Sequence, residues 1–283
     1  MLAGVELGGT KCICTLGMGP DDVREQVEIP TACPEATLAA IASFLDARSF
    51  QSLGIASFGP LELDRTAVNF GSILRTTKPG WSGADLTSLA RGRPFAIDTD
   101  VNGAALAEGL WGAARGLESW AYITIGTGVG VGSVSAGQIL RGAGHSEAGH
   151  QRVPKLPGDR FQGCCIYHGD CVEGLASGPA VAARAGKDGR EIAPDDDAWT
   201  YAAHAIAMLC HNLVLTTLPQ RILIGGGVAI GQPQLLTAVR HHLSTSLAGY
   251  SRTDGVEDLI VAPGLGERAG PCGSLALASR AAN

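Results

Sequence analysis

The 283-residue chain is 45% hydrophobic and 17% charged, enough apolar content for a substantial core and a composition that argues against extensive disorder. A net charge of −6 without a basic block, and only 5% aromatic residues, argue against a nucleic-acid partner. No stretch approaches the roughly 18 uninterrupted apolar residues of a membrane span, and no basic segment leads into an apolar one as in a signal peptide; the expectation is a cytoplasmic protein with two domains or two lobes.

Residues 2–7 and 11–17 predict a strand pair around the turn Gly8-Gly9-Thr10-Lys11. Residues 34–47 predict a helix with Leu38, Ile41 and Leu45 on one face. A strand at 53–58 ends at Gly59-Pro60. The short strand Phe95-Ala96-Ile97 precedes the polar block Asp98-Thr99-Asp100-Val101-Asn102, and 104–114 is alanine- and leucine-rich and helical. Strands at 120–125 and 129–134 carry a second glycine turn, Gly126-Thr127-Gly128-Val129-Gly130-Val131-Gly132. Residues 143–171 read as irregular. A long helix at 198–218 opens on three aspartates and stops at Pro219. The strand at 221–224 ends in Gly225-Gly226-Gly227, and a helix near 233–247, a strand at 258–262 and a helix from about 268 follow. Alternating strands and helices predict an α/β fold with a boundary near residue 117.

The two glycine turns each follow an apolar strand, 118 residues apart (126 minus 8). Such turns expose backbone N–H groups that no Cβ shields, and a matched pair suggests two half-sites for one polyphosphate. The cysteines are read as reduced, and Cys165, His168 and Cys171 supply three borderline ligands within one loop. His150 would complete a closed Cys₂His₂ tetrahedron, the pattern of structural zinc. Sequence alone leaves Cys164 and Cys165 both open as the ligand. His204, His211, His241 and His242 read as packed or solvent-facing helix positions.

In family order, Glu6-Leu7-Gly8-Gly9-Thr10-Lys11, Asp98 to Gly103, Gly126 to Gly132, Glu147-Ala148-Gly149-His150 and the Cys165/His168/Cys171 cluster resemble the ROK family (repressors, open reading frames and sugar kinases). Within it, Ser57-Phe58-Gly59-Pro60, Lys78-Pro79-Gly80-Trp81 and Tyr167 to Cys171 resemble the bacterial fructokinase branch. The resemblance spans nearly the whole chain. It implies a two-lobed, actin-like (ribonuclease H-like) ATPase fold with nucleotide in the cleft and a zinc-binding loop. One lobe would hold residues 1–117 and the C-terminal helix at 268–283, the other residues 118–267.

The resemblance also implies roles. Asp100 becomes the general base, against the alternative that Asp98 or Asp100 merely caps the next helix. Asn102, Glu147, His150 and Glu173 would bind the sugar. Gly8, Gly9, Thr10, Lys11, Gly126, Thr127 and Gly128 would hold the phosphates of ATP, and Gly178, Pro179, Gly225, Gly226 and Gly227 would flank its adenosine. Glu6 would hold Mg²⁺ through water, or else pair with Lys11. Zinc would take His150, Cys165, His168 and Cys171, the family spacing favouring Cys165. The expected activity is ATP-dependent phosphorylation of a hexose at its primary hydroxyl, D-fructose first. Rivals are a kinase for glucose, mannose or an N-acetylated amino sugar, and a non-catalytic sugar sensor. A DNA-binding regulator would need a module ahead of the first turn, and Gly8 leaves it no room. A homodimer is the family expectation.

Overall fold

A computed structural model describes residues 1–250 and 255–282 and divides into two compact units. One comprises Met1–Gly116, Ile139–Ser146 and the chain from Arg268 onward; the other comprises Leu117–Gln138 and Glu147–Glu267. The segment Ile139–Ser146 lies inside the stretch expected of the second lobe but packs with the first unit. There Arg141 pairs with Asp98, and His145 Nε2 accepts from the Leu61 amide at 2.9 Å.

The first unit opens with β1 (Leu2–Leu7), β2 (Lys11–Gly19) and β3 (Asp22–Pro30), an antiparallel meander. Helix α1 (Pro34–Asp46) then leads to β4 (Ser52–Ser57), β5 (Phe95–Thr99) and α2 (Asp100–Trp111). The sheet order is β3-β2-β1-β4-β5, with β1, β4 and β5 parallel. Its core gathers Leu7, Ile41, Leu45, Leu53, Ile55, Ile73, Trp81 and Leu86, all fully enclosed. Helix α2 starts earlier than its alanine-rich stretch predicts, because Thr99 is its N-cap: Thr99 Oγ1 accepts from the Asn102 amide at 3.2 Å. The polar block is therefore cap and first turn, and Asp100 is the first helical residue.

The second unit repeats that plan. Strands β6 (Trp120–Ile125), β7 (Val129–Ser135) and β8 (Gln138–Ile139) are followed by the short helices α3 (Val172–Ala176) and α4 (Gly178–Ala185) and the long α5 (Asp197–Thr217). Then come β9 (Arg221–Gly225), α6 (Gly226–Gly231), α7 (Gln234–Leu247), α8 (Val256–Leu259) and β10 (Ile260–Val261). The sheet order β10-β9-β6-β7-β8 is that of the first unit, with β6, β9 and β10 parallel. The strand expected at 258–262 shrinks to two residues, since Gly255 turns the chain and residues 256–259 form a helical turn. Ile123, Ile125, Ile206, Leu209, Ile222 and Ile224 form its core.

The C-terminal helix Ala269–Ala282 returns to the first unit and lies on β1, β4 and α2. Small residues permit the close approach. A Cβ added at Gly54 would sit 1.8 Å from the Ser274 carbonyl oxygen, and Ser52 Oγ donates to the Ala278 carbonyl at 2.7 Å. Among the described residues, no helix is long and apolar enough to cross a membrane. Gly54→Ala is expected to cost about 3 kcal/mol of stability by forcing the helix off the sheet. Urea unfolding measures this, and an unchanged midpoint would show that the helix can retreat freely.

Candidate active site

In the first unit the glycine turn joins β1 to β2, and Gly8 N–H donates to the Lys11 carbonyl at 3.0 Å. Thr31 holds the turn from β3's end: its hydroxyl donates to the Gly8 carbonyl at 2.8 Å and its amide to the Thr10 carbonyl at 3.0 Å. Lys11 leans outward into an exposed ion pair with Glu28. A different lysine reaches the turn. Lys78 donates to the Gly9 carbonyl, from a loop pinned by the fully buried Trp81. Trp81 Nε1 donates to the Ala32 carbonyl at 2.9 Å, and its ring meets Phe58 edge-on with centroids 5.4 Å apart. The Lys-Pro-Gly-Trp motif was legible as a motif, but nothing in one sequence says which turn its lysine reaches.

Because β1, β4 and β5 are parallel, Glu6 near the end of β1 and Asp100 just beyond β5 share one edge of the sheet. Glu6 Oε2 is buried without a hydrogen-bond partner. Burial pushes the Glu6 carboxyl up to about 7, the Asp100 charge adds to the rise, and Lys11 opposes it. An orphaned carboxylate oxygen beside a second carboxylate is a donor set suited to hydrated Mg²⁺. Asp100 Oδ1 accepts from the Val101 amide at 2.7 Å. Asn102, expected at the sugar, is buried, and its Nδ2 donates to Asp98 Oδ1 at 2.8 Å. Asp98 also accepts from the Thr99 amide and from Arg141, so it organises the start of α2.

In the second unit the turn joins β6 to β7, and Gly126 N–H donates to the Gly128 carbonyl at 2.9 Å. The Gly178 amide, opening α4, donates to the Gly126 carbonyl at 2.8 Å, with Pro179 beside it in the first turn. Gly225 ends β9, while Gly226 and Gly227 open α6 against the end of β6. The second-unit residues expected at the nucleotide are thus brought together. Glu173 braces them: its Oε2 accepts from the Val129 amide at 3.2 Å and occupies the space a Cβ on Gly128 would need. Glu173 Oε1 also lies 4.0 Å from His150 Nδ1. Glu147 stands at the N-cap position of the single turn Ala148–His150, makes no side-chain cap bond there, and is exposed.

His150, Cys165, His168 and Cys171 converge, and every ligand atom lies within 4.8 Å of the others. A tetrahedral zinc with Zn–N of ~2.0 Å and Zn–S of ~2.3 Å needs edges of about 3.3 Å between nitrogens and about 3.5 Å between nitrogen and sulfur. The two Nδ1 atoms are 3.3 Å apart, Cys165 Sγ is 3.6 and 3.8 Å from the Nδ1 atoms of His150 and His168, and Cys171 Sγ is 3.6 Å from His150 Nδ1. The donor set fits zinc. Cys164 is exposed and lies outside the cluster, so geometry selects Cys165.

Comparison with known proteins fits this arrangement. The ROK family profile matches residues 2–281. The chain belongs to the ROK family. Among ROK relatives, it is 41% identical to a fructokinase from Zymomonas mobilis subsp. mobilis, covering 99% of this chain and 96% of that protein. A Pediococcus pentosaceus fructokinase is 39% identical over 99% and 98% of the two chains. The ROK hexokinase structure from Thermus thermophilus superposes with a TM-score of 0.79 at 27% identity, covering 99% and 98%. The fold is accordingly the actin-like ATPase fold of the ROK sugar kinases.

The Glu6 environment predicts a pH dependence. A carboxyl that binds its proton more tightly when folded weakens the fold as pH rises from its unfolded value to its folded one. Metal-free protein should therefore lose about 3 kcal/mol from Glu6 between pH ~4.5 and ~8. Glu6→Gln should flatten that slope in urea-unfolding midpoints taken across this range; an unaltered slope would locate the titration elsewhere.

Proposed function

We propose that this chain is a fructokinase-type sugar kinase that transfers the γ-phosphoryl group of ATP to the primary hydroxyl of D-fructose, giving D-fructose 6-phosphate. Similarity to fructokinases over essentially the full length, at about two residues in five, carries the substrate assignment. The paired glycine turns and the carboxylate at the first helical position of α2 support the reaction class.

Asp100 takes the hydroxyl proton as the sugar oxygen attacks the γ-phosphorus; the bond to the bridging oxygen breaks and ADP leaves. Its place at the start of α2 fixes it by the cap at Thr99 and the Asp98–Asn102 bond. Asn102, Glu147, His150 and Glu173 hold the sugar. Gly8, Gly9, Thr10, Lys11, Gly126, Thr127 and Gly128 receive the phosphates, Lys78 adds a cation at the first turn, and Gly178, Pro179, Gly225, Gly226 and Gly227 flank the adenosine. Glu6 would hold Mg²⁺ through water, where the ion offsets phosphate charge. His150, Cys165, His168 and Cys171 would hold zinc, which would serve to fix the loop that carries Glu147 and Glu173. With Nδ1 of His150 turned to the cluster, Nε2 is the atom left for substrate. The eight cysteines are unpaired, which supports a reducing cytoplasmic setting.

Asp100→Asn is expected to lower kcat on fructose about a thousandfold while leaving fructose binding measurable by calorimetry. A panel of fructose, glucose, mannose and N-acetylmannosamine with ATP fixes the substrate: turnover confined to another hexose would replace fructose, and sugar binding without turnover would point to a sensor. For zinc, the purified protein should carry one equivalent, and Cys171→Ser or chelation should lower its thermal midpoint by about 10 °C. Cys164→Ser should change neither metal content nor midpoint. Chelation that strips metal without destabilising the fold would remove the structural role.

A further inference from the structure

Every carbonyl from Gly8 to Thr10 in the first glycine turn is held by a side chain or amide from elsewhere in the first unit. The half-buried Thr31 takes two of them, Gly8 with its hydroxyl at 2.8 Å and Thr10 with its amide at 3.0 Å. Lys78 takes the Gly9 carbonyl between them. The peptides of the turn are trans, and in a planar trans peptide the carbonyl of one residue and the amide of the next point in opposite directions. Two carbonyls gripped by Thr31 therefore turn the Gly9 and Lys11 amides to the face away from it. The hydroxyl direction is fixed as well. A carbonyl oxygen only accepts, so the single hydroxyl proton goes to Gly8. The buried Cys12 thiol, 3.3 Å from the same oxygen, is then its donor, and Thr31 is held from both sides.

The two glycines of the turn differ in what demands them. A Cβ on Gly8 would stand 2.6 Å from the Lys11 carbonyl oxygen, so the hairpin itself excludes a larger residue. A Cβ on Gly9 would meet nothing within 4 Å, and the φ of Gly9 lies outside the left-handed region. Neither packing nor backbone conformation requires glycine at this position. A bare Cα there does one thing: it lets an anion come close to the backbone amides.

We propose that Thr31, which lies in none of the sequence motifs, is a positioning residue of the phosphate site, aiming the Gly9 and Lys11 amides at an oxygen of the ATP polyphosphate while Gly9 keeps that face open. This role rests on the ATP-dependent kinase reading. Amides already turned toward the place where charge gathers need no reorganisation during transfer. Thr31 itself touches neither nucleotide nor sugar. It acts through the two carbonyls, and Lys78 masks the third.

Thr31→Val keeps the shape of the side chain and removes only its hydroxyl. Calorimetric titration with ADP and Mg²⁺, and separately with fructose, compares it with the parent protein, Thr31→Ser and Gly9→Ala; initial rates with ATP and fructose run alongside. Thr31→Val is expected to weaken ADP, and to raise the KM for ATP, about tenfold, the equivalent of one well-formed hydrogen bond, with fructose affinity kept within about twofold. Thr31→Ser retains the hydroxyl and should return ADP affinity to within about threefold of the parent. Gly9→Ala should weaken ADP without lowering the thermal midpoint, because its Cβ enters open space. ADP affinity unchanged in Thr31→Val would overturn the assignment. So would an equal fall in nucleotide and fructose affinity together with the thermal midpoint, the mark of general loosening. A parent protein that binds ADP but phosphorylates no sugar would remove the kinase reading, and the ADP titrations alone would then decide the role of Thr31. A parent protein that binds no ADP would overturn both.

Discussion

The structure depends on one arrangement made twice: a strand that runs into a tight glycine turn, with later strands laid parallel beside it. In each unit the first strand pairs antiparallel with its hairpin partner on one side and parallel with a later strand on the other. Parallel pairing has a geometric consequence, because the ends of such strands fall on a common edge. The turn Gly8–Lys11, the Glu6 carboxylate and the first turn of α2 are thereby neighbours although Glu6 and Asp100 are 94 positions apart (100 minus 6). In the second unit the same rule collects Gly126, the start of α4 and the start of α6.

The chemistry built on these edges differs between the units. In the first, electrostatics dominates: two carboxylates are close enough for one to raise the other, and a lysine approaches from a loop anchored by a tryptophan. In the second, one carboxylate joins the turn to a cluster of potential metal ligands. Glu173 links the glycine turn to His150, and His150 belongs to a four-residue cluster whose spacing suits a tetrahedral ion. An ion there would stiffen the loop and the turn together, because a single side chain touches both.

Much of this was legible in the sequence where the signal is local. Apolar runs ending in glycine fix both hairpins, and the cysteine- and histidine-rich loop announces a candidate metal cluster, with the choice between Cys164 and Cys165 left to the coordinates. What escaped has a common physical reason. Strand β3 is a mostly exposed edge strand in which only Val27 and Ile29 pack against the core, too short an apolar alternation to announce a nine-residue strand. Helix α4 is eight residues long and hidden in an alanine-rich stretch behind Ser177 and Pro179. The partners of Lys78 and Arg141 are 69 and 43 residues away, and such pairings are decided by topology. The polar block at 98–102 was visible as chemistry; its division into an organising Asp98, a capping Thr99 and a half-buried Asp100 came only with coordinates.

The C-terminal helix covers glycines on β1 and β4, strands made more than 200 residues earlier. During synthesis the first sheet must therefore wait, with its apolar face bare, until the ribosome has finished the second unit. The second unit, apart from the excursion at 139–146, is continuous and can condense as it emerges. Chaperone dependence, if the protein has any, should then be traced to the amino-terminal half, and nascent chains stalled before residue 269 are the ones that would aggregate.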